Sequence, residues 1–163
     1  MQAVSVAVVG GGRWARALMQ RLSHSRSSFR TNLGRVMRYQ PPADLPRIAS
    51  LQRRHGLRFV LDHYASMPAD GSAPAAAWDA LQALAEGGAW VKLSAPYRLP
   101  GHGASDQPPP HGDRVAGLFG PRVVWGSDWP HTSFAAGLQP GYATLAVQAG
   151  WPGLHAQAAT LYA

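Results

Sequence analysis

Three short apolar runs, separated by helical patterns, constrain the fold of this chain more than any other feature of its sequence. The runs span 58–62, 89–93 and 122–126, and helical patterns cover 44–55, 72–85 and 113–119. Strands that are apolar at nearly every position are typical of parallel sheets whose two faces are both covered. Their alternation with helices is typical of α/β proteins. We therefore predict an α/β fold with parallel strands.

A polar residue follows each of the three predicted strands. His63 comes directly after the first strand, Ser94 after the second, and Asp128 just beyond the third. The carboxyl ends of parallel strands meet at one edge, and in a (β/α) barrel that edge is the catalytic face. We expect these three side chains to share one pocket.

The residues around these strand ends resemble a known family. Val60-Leu61-Asp62-His63 is followed by Trp90-Val91-Lys92-Leu93-Ser94 with Pro96-Tyr97-Arg98, and then by Trp125-Gly126-Ser127-Asp128-Trp129-Pro130-His131. In this order and spacing the motifs resemble the last three strands of the amidohydrolase-related TIM-barrel hydrolases of the 2-pyrone-4,6-dicarboxylate lactonase type. The resemblance covers residues 44–163 and implies the C-terminal part of a (β/α) TIM-type barrel.

The resemblance also implies a chemistry, which is hydrolysis of a lactone or similar ester of a carboxylated small molecule. It implies that Asp128 is the general base that activates water and that His63 polarises the scissile carbonyl. Arg98 would grip a substrate carboxylate, because a guanidinium fork binds a carboxylate through two hydrogen bonds. The further substrate-binding candidates are Tyr97, Ser94 and Lys92. Lys92 lies in mid-strand and faces either the pocket or a helix.

The chain departs from the family pattern in its histidines. The family places a His-x-His pair on its first strand, and the seven histidines here contain no such pair. His63 and Asp128 are then the only metal-ligand candidates, whereas a catalytic zinc usually has three protein ligands. We therefore expect no cofactor and no tightly held divalent metal. The family's Met-Gly-Arg after the equivalent of His63 is replaced by Tyr64-Ala65-Ser66.

The first 43 residues differ from the rest of the chain. They hold seven arginines and no acid, whereas residues 44–163 have no net charge, so the whole excess of +7 lies in 1–43. Val4–Val9 is an apolar, β-branched candidate strand within this segment. We predict a boundary between an atypical segment, 1–43, and a barrel segment, 44–163. A complete barrel has about 250 residues, so we expect a truncated barrel, whose activity is uncertain and whose open edges favour a homo-oligomer.

Two other readings stay open. A barrel remnant could be non-catalytic and act by associating with another chain. The Gly10–Ala15 turn fits a dinucleotide fingerprint, although no acid precedes Asp44 to hold a ribose, so a small NAD(P)-binding protein is the weaker reading. The arginines of 1–43 form no recognised nucleic-acid-binding motif, and no apolar run reaches about 18 residues, so we expect neither a nucleic-acid nor a membrane partner. Without cysteine or a secretory signal, a cytoplasmic location is the default.

Overall fold

A computed structural model describes residues 6–8, 41–103, 107–126 and 128, and its described strands form one parallel sheet. The strands lie in the order of the chain, and each pairs in parallel with the next. They are β1 (Val6–Val8), β2 (Arg58–Leu61), β3 (Trp90–Ser94) and β4 (Val123–Gly126). The predicted α/β fold with parallel strands is confirmed, and the candidate strand near the N-terminus pairs with β2.

Three α-helices lie between the strands of the described region. They are α1 (Leu45–His55), α2 (Ala75–Glu86) and α3 (Gly112–Phe119). The first ends at Gly56, whose φ of 61° is the left-handed conformation that glycine adopts at little cost. The second begins three residues later than its pattern predicts, because Pro74 disfavours helical backbone at Ala73. None of the described helices is long and apolar enough to cross a membrane.

The hydrophobic core lies between the helices and one face of the sheet. Alternate strand residues, namely Phe59, Leu61, Val91, Leu93 and Val123, pack there against the helices. On the other face Val60, Trp90 and Lys92 are half-buried. The apolar runs predict burial on both faces of the sheet. The face that packs against the helices is buried, and the opposite face is buried only in part. This second face leads up to the polar strand ends.

Arg122 fixes the start of β4 against the connection between α2 and β3. Its Nη2 donates to the carbonyl oxygen of Ala85 at 2.6 Å, and its Nε donates to that of Ala89 at 3.2 Å. A guanidinium at a helix C-terminus satisfies carbonyls that have no partner within the helix. The contact holds β3 and β4 in the register that pairs Ser94 with Gly126. The Gly10–Ala15 turn, the other residues before Pro41 apart from 6–8, Ser127 and the 129–131 segment lie outside the described residues.

Candidate active site

The turn that follows β2 has an unusual backbone. His63, Tyr64, Ala65 and Ser66 have φ values of 49°, 52°, 57° and 57°, so four consecutive non-glycine residues make a left-handed turn. Each such residue costs about 1–2 kcal/mol relative to right-handed backbone. Burial of the Tyr64 ring, which is 0% exposed, offsets part of that cost.

His63 contacts the end of the neighbouring strand. Its Nδ1 lies 2.9 Å from the Oγ of Ser94, the last residue of β3. Ser94 is 2% exposed, so this hydrogen bond is shielded from water. The structure therefore brings together two of the strand-end residues that the sequence pattern predicts to be neighbours.

Asp128 completes the group beyond the end of β4. Its Oδ2 accepts a hydrogen bond from the Tyr97 hydroxyl at 2.7 Å and another from the Arg98 Nε. Its Oδ1 lies 3.8 Å from the His63 Nε2. Ala95, with φ 47°, turns the chain after β3 so that Tyr97 and Arg98 reach this carboxylate.

Burial sets the protonation states of the two groups around the carboxylate. It lowers the pKa of His63 below its ordinary value, and the negative charges of Asp62 and Asp128 offset this only in part. Burial, followed by the hydrogen bond to Asp128, raises the pKa of the Tyr97 hydroxyl. At neutral pH the site therefore holds a neutral imidazole and a protonated phenol that donates to Asp128.

Lys92 lies on the same face of β3 as Ser94, because side chains alternate along a strand and Val91 and Leu93 face the helices. Its Nζ pairs with the Oδ1 of Asp62 at 2.9 Å, and both side chains are one-third exposed. Sequence reasoning assigned no role to Asp62. The pair depends on the strand register, in which Leu61 pairs with Val91 one step earlier.

The arrangement offers a carboxylate base, hydrogen-bond donors and positive charge at one edge of the sheet. A carboxylate beside a buried neutral imidazole can take a proton from water, while N–H and O–H donors stabilise negative charge on an oxygen. Within residues 41–103, 107–126 and 128, no three potential ligand side chains lie close enough together to hold a metal ion.

Solved structures that resemble the chain include two bacterial proteins. A probable 2-pyrone-4,6-dicarboxylic acid hydrolase from Acinetobacter baumannii, with citric acid bound, aligns over 72% of this chain and 46% of its own, at 19% identity and a TM-score of 0.56. An amidohydrolase from Burkholderia multivorans with bound HEPES aligns over 70% of this chain and 42% of its own, at 27% identity and a TM-score of 0.49. The first likeness supports the partial-barrel prediction. The chain spans about half the length of these proteins.

No curated protein sequence matches the chain. The model of the amidohydrolase family, in contrast, matches residues 13–158. That range takes in β2, β3 and β4 with their carboxyl ends and all the residues around Asp128. The resemblance that the three motifs indicate is thereby confirmed, and the chain belongs to the amidohydrolase family.

Proposed function

We propose that this chain carries the catalytic face of a hydrolase that opens a lactone or cleaves a similar ester of a carboxylated small molecule. One observation carries the proposal, namely the convergence of His63, Tyr97 and Arg98 on the Asp128 carboxylate. Membership of the amidohydrolase family supports hydrolysis as the class of reaction. That the substrate is a lactone or similar ester, and that it carries a carboxylate, is part of the proposal.

Asp128 acts as the general base in this mechanism. Its Oδ1 removes a proton from water, and the resulting hydroxide attacks the carbonyl carbon of the ester. His63 stabilises the negative charge that develops on the carbonyl oxygen. When the carbon–oxygen bond of the leaving group breaks, the proton held by Asp128 passes to the departing alkoxide. The products are a carboxylic acid and an alcohol, which stay in one molecule when the substrate is a lactone.

Arg98 and Tyr97 orient the substrate. Arg98 is the cation nearest to the base, and a guanidinium can hold a carboxylate of the substrate in a defined orientation. The Lys92 ammonium adds positive charge on the same face of the sheet, next to Asp62. Asp128 and Asp62 balance these two positive charges, so a carboxylate of the substrate is recognised through hydrogen bonds from Arg98 and Lys92 once it is bound.

The test is a turnover assay with the purified chain and a matched control. We would measure ring opening of 2-pyrone-4,6-dicarboxylate, the compound in the name of the Acinetobacter neighbour, and of an uncharged 2-pyrone. We expect the dicarboxylate to react faster, and Asp128→Asn to lower its rate about 10²- to 10⁴-fold. Equal rates for the chain and for Asp128→Asn with both compounds would contradict the proposal. That result would favour the non-catalytic remnant.

A further inference from the structure

We propose that Ser94 is a positioning residue that holds the His63 imidazole in one orientation and one tautomer, with the proton on Nε2 and directed at Asp128. Ser94 acts on the reaction through His63, and its burial keeps its hydroxyl away from a bound substrate. The catalytic meaning of this inference rests on the proposed function. The tautomer itself can be tested without a substrate.

The first step concerns the partner of Nδ1. A neutral imidazole has one nitrogen that donates and one that accepts. The Ser94 hydroxyl can serve either nitrogen state, because it can donate its hydrogen or accept with its oxygen. The 2.9 Å contact with Nδ1 therefore fixes the orientation of the ring. It does not decide whether Nδ1 donates or accepts, which depends on the surroundings of Nε2.

The other side of the ring faces a carboxylate. The His63 Nε2 lies 3.8 Å from the Asp128 Oδ1, and the two side chains are only 21% and 19% exposed. A nitrogen lone pair directed at a carboxylate oxygen in such a place is repelled, whereas an N–H is attracted. The single ring proton therefore belongs on Nε2. Nδ1 then accepts, and the Ser94 hydroxyl donates.

The other charges around the ring agree with one proton rather than two. Asp62 is paired with Lys92, and Asp128 is paired with Arg98, so both carboxylates near the ring are already matched by cations. Burial lowers the pKa of His63, which keeps the ring neutral at neutral pH. A neutral ring with its donor beside the base can hydrogen-bond a carbonyl oxygen without first being protonated.

This assignment gives Ser94 a different role from direct substrate contact. The end of β3, where Ser94 pairs with Gly126 of β4, sets the position of the hydroxyl. The serine thus links the sheet register to the direction of the Nε2–H bond. Removal of its hydroxyl releases the ring without changing any charge of the site.

The deciding experiment is nitrogen NMR on the full chain labelled with ¹⁵N-histidine. Spectra recorded near pH 8 report neutral rings, and His63→Gln identifies the His63 signals by their loss. We expect one protonated nitrogen, Nε2, and an Nδ1 signal displaced by an accepted hydrogen bond. Ser94→Ala should move the Nδ1 signal toward that of an unbonded nitrogen, and Ser94→Thr, which keeps the hydroxyl, should restore it. A proton on Nδ1 of the wild type, or an unchanged Nδ1 signal in Ser94→Ala, would overturn the inference.

A kinetic measurement separates this inference from the proposed function. With 2-pyrone-4,6-dicarboxylate as the probe, Ser94→Ala should lower kcat about five-fold, as expected for one lost hydrogen bond, and leave KM unchanged. Ser94→Thr should recover most of kcat. A wild type without turnover that still shows the Nε2–H tautomer would contradict the proposed function and leave the role of Ser94 in place. A fall in kcat in Ser94→Ala, with the ring proton of the wild type on Nδ1, would contradict the inference about Ser94 and leave the proposed function in place.

Discussion

Replacement of Tyr97 by phenylalanine tests whether the contacts around Asp128 hold the site together. The Tyr97 hydroxyl donates to Asp128 at 2.7 Å, and the residue is only 7% exposed. Phenylalanine keeps the ring, so the change removes a hydrogen bond without opening a cavity. A hydrogen bond to a charged group contributes about 1.5–3 kcal/mol. We expect the free energy of unfolding to fall by about 2 kcal/mol, which for a chain of this length corresponds to a loss of about 4–8 °C in Tm.

A double-mutant cycle in urea assigns this loss to the contact itself. Asp128→Asn is the suitable second change, because Asp128 has a φ of 59° and asparagine accepts left-handed backbone about as well as aspartate does. Tyr97→Phe should cost much less in the Asp128→Asn background, with a coupling energy of at least about 1 kcal/mol between the two positions.

Tyr64→Phe is the matched control for the cycle. Tyr64 is also buried, but its hydroxyl has no hydrogen-bond partner among the residues that the structure describes. A buried unsatisfied hydroxyl is itself unfavourable, so this variant should be as stable as the wild type or more stable. Equal losses from both Tyr→Phe changes, or strict additivity of the cycle, would refute the argument that Tyr97 acts through Asp128.

Three further predictions concern pH, the sheet and assembly. Burial lowers the pKa of His63 in the folded state, so near and below the ordinary pKa of about 6.5 the unfolded chain binds more protons than the folded chain. The free energy of unfolding, measured in urea, should therefore fall from pH 7.5 to pH 5. The His63→Gln variant should lose less of it across the same range. Arg122→Ala, which removes the two carbonyl contacts before β3, should lower the free energy of unfolding by about 1–3 kcal/mol, and an undiminished urea midpoint would argue against its anchoring role. Val60 and Trp90 are half-exposed on the face of the sheet away from the helices, so we expect a homo-oligomer by size-exclusion chromatography with light scattering; a monodisperse monomer at high concentration would count against association through this face.

The sequence predicts the elements well and the turns between them poorly. The strand ends follow from apolar runs and the helix ends from Gly56 and Gly87, so those boundaries differ from the observed ones by at most three residues. The convergence of His63, Ser94 and Asp128 follows from the rule that parallel strands share one carboxyl edge. Chain topology, rather than any detail of side-chain packing, carries that part of the prediction.

The part of the site that the sequence does not predict lies at residues whose backbone conformation is unfavourable for their residue type. Alanine favours right-handed helical backbone, yet Ala95 has a φ of 47° and begins the turn that brings Arg98 onto Asp128. The sequence, which does not reveal that turn, predicts a contact between Arg98 and a substrate but no contact between Arg98 and Asp128. The pairing of Lys92 with Asp62 was missed for another reason, because it depends on the relative shift of two strands, which neither strand specifies by itself.

The distribution of strained backbone gives an independent reason to place function at this edge of the sheet. In the described part of the chain, the non-glycine residues with positive φ are His63, Tyr64, Ala65, Ser66, Ala95 and Asp128, and each follows β2, β3 or β4. At about 1 kcal/mol or more apiece, their combined cost is comparable to the entire stability of a typical domain. Selection for stability alone would remove such residues, or would place glycine there. The strain persists because the surrounding contacts over-determine it, and it occurs at the positions that bring His63, Ser94 and Asp128 within reach of one another.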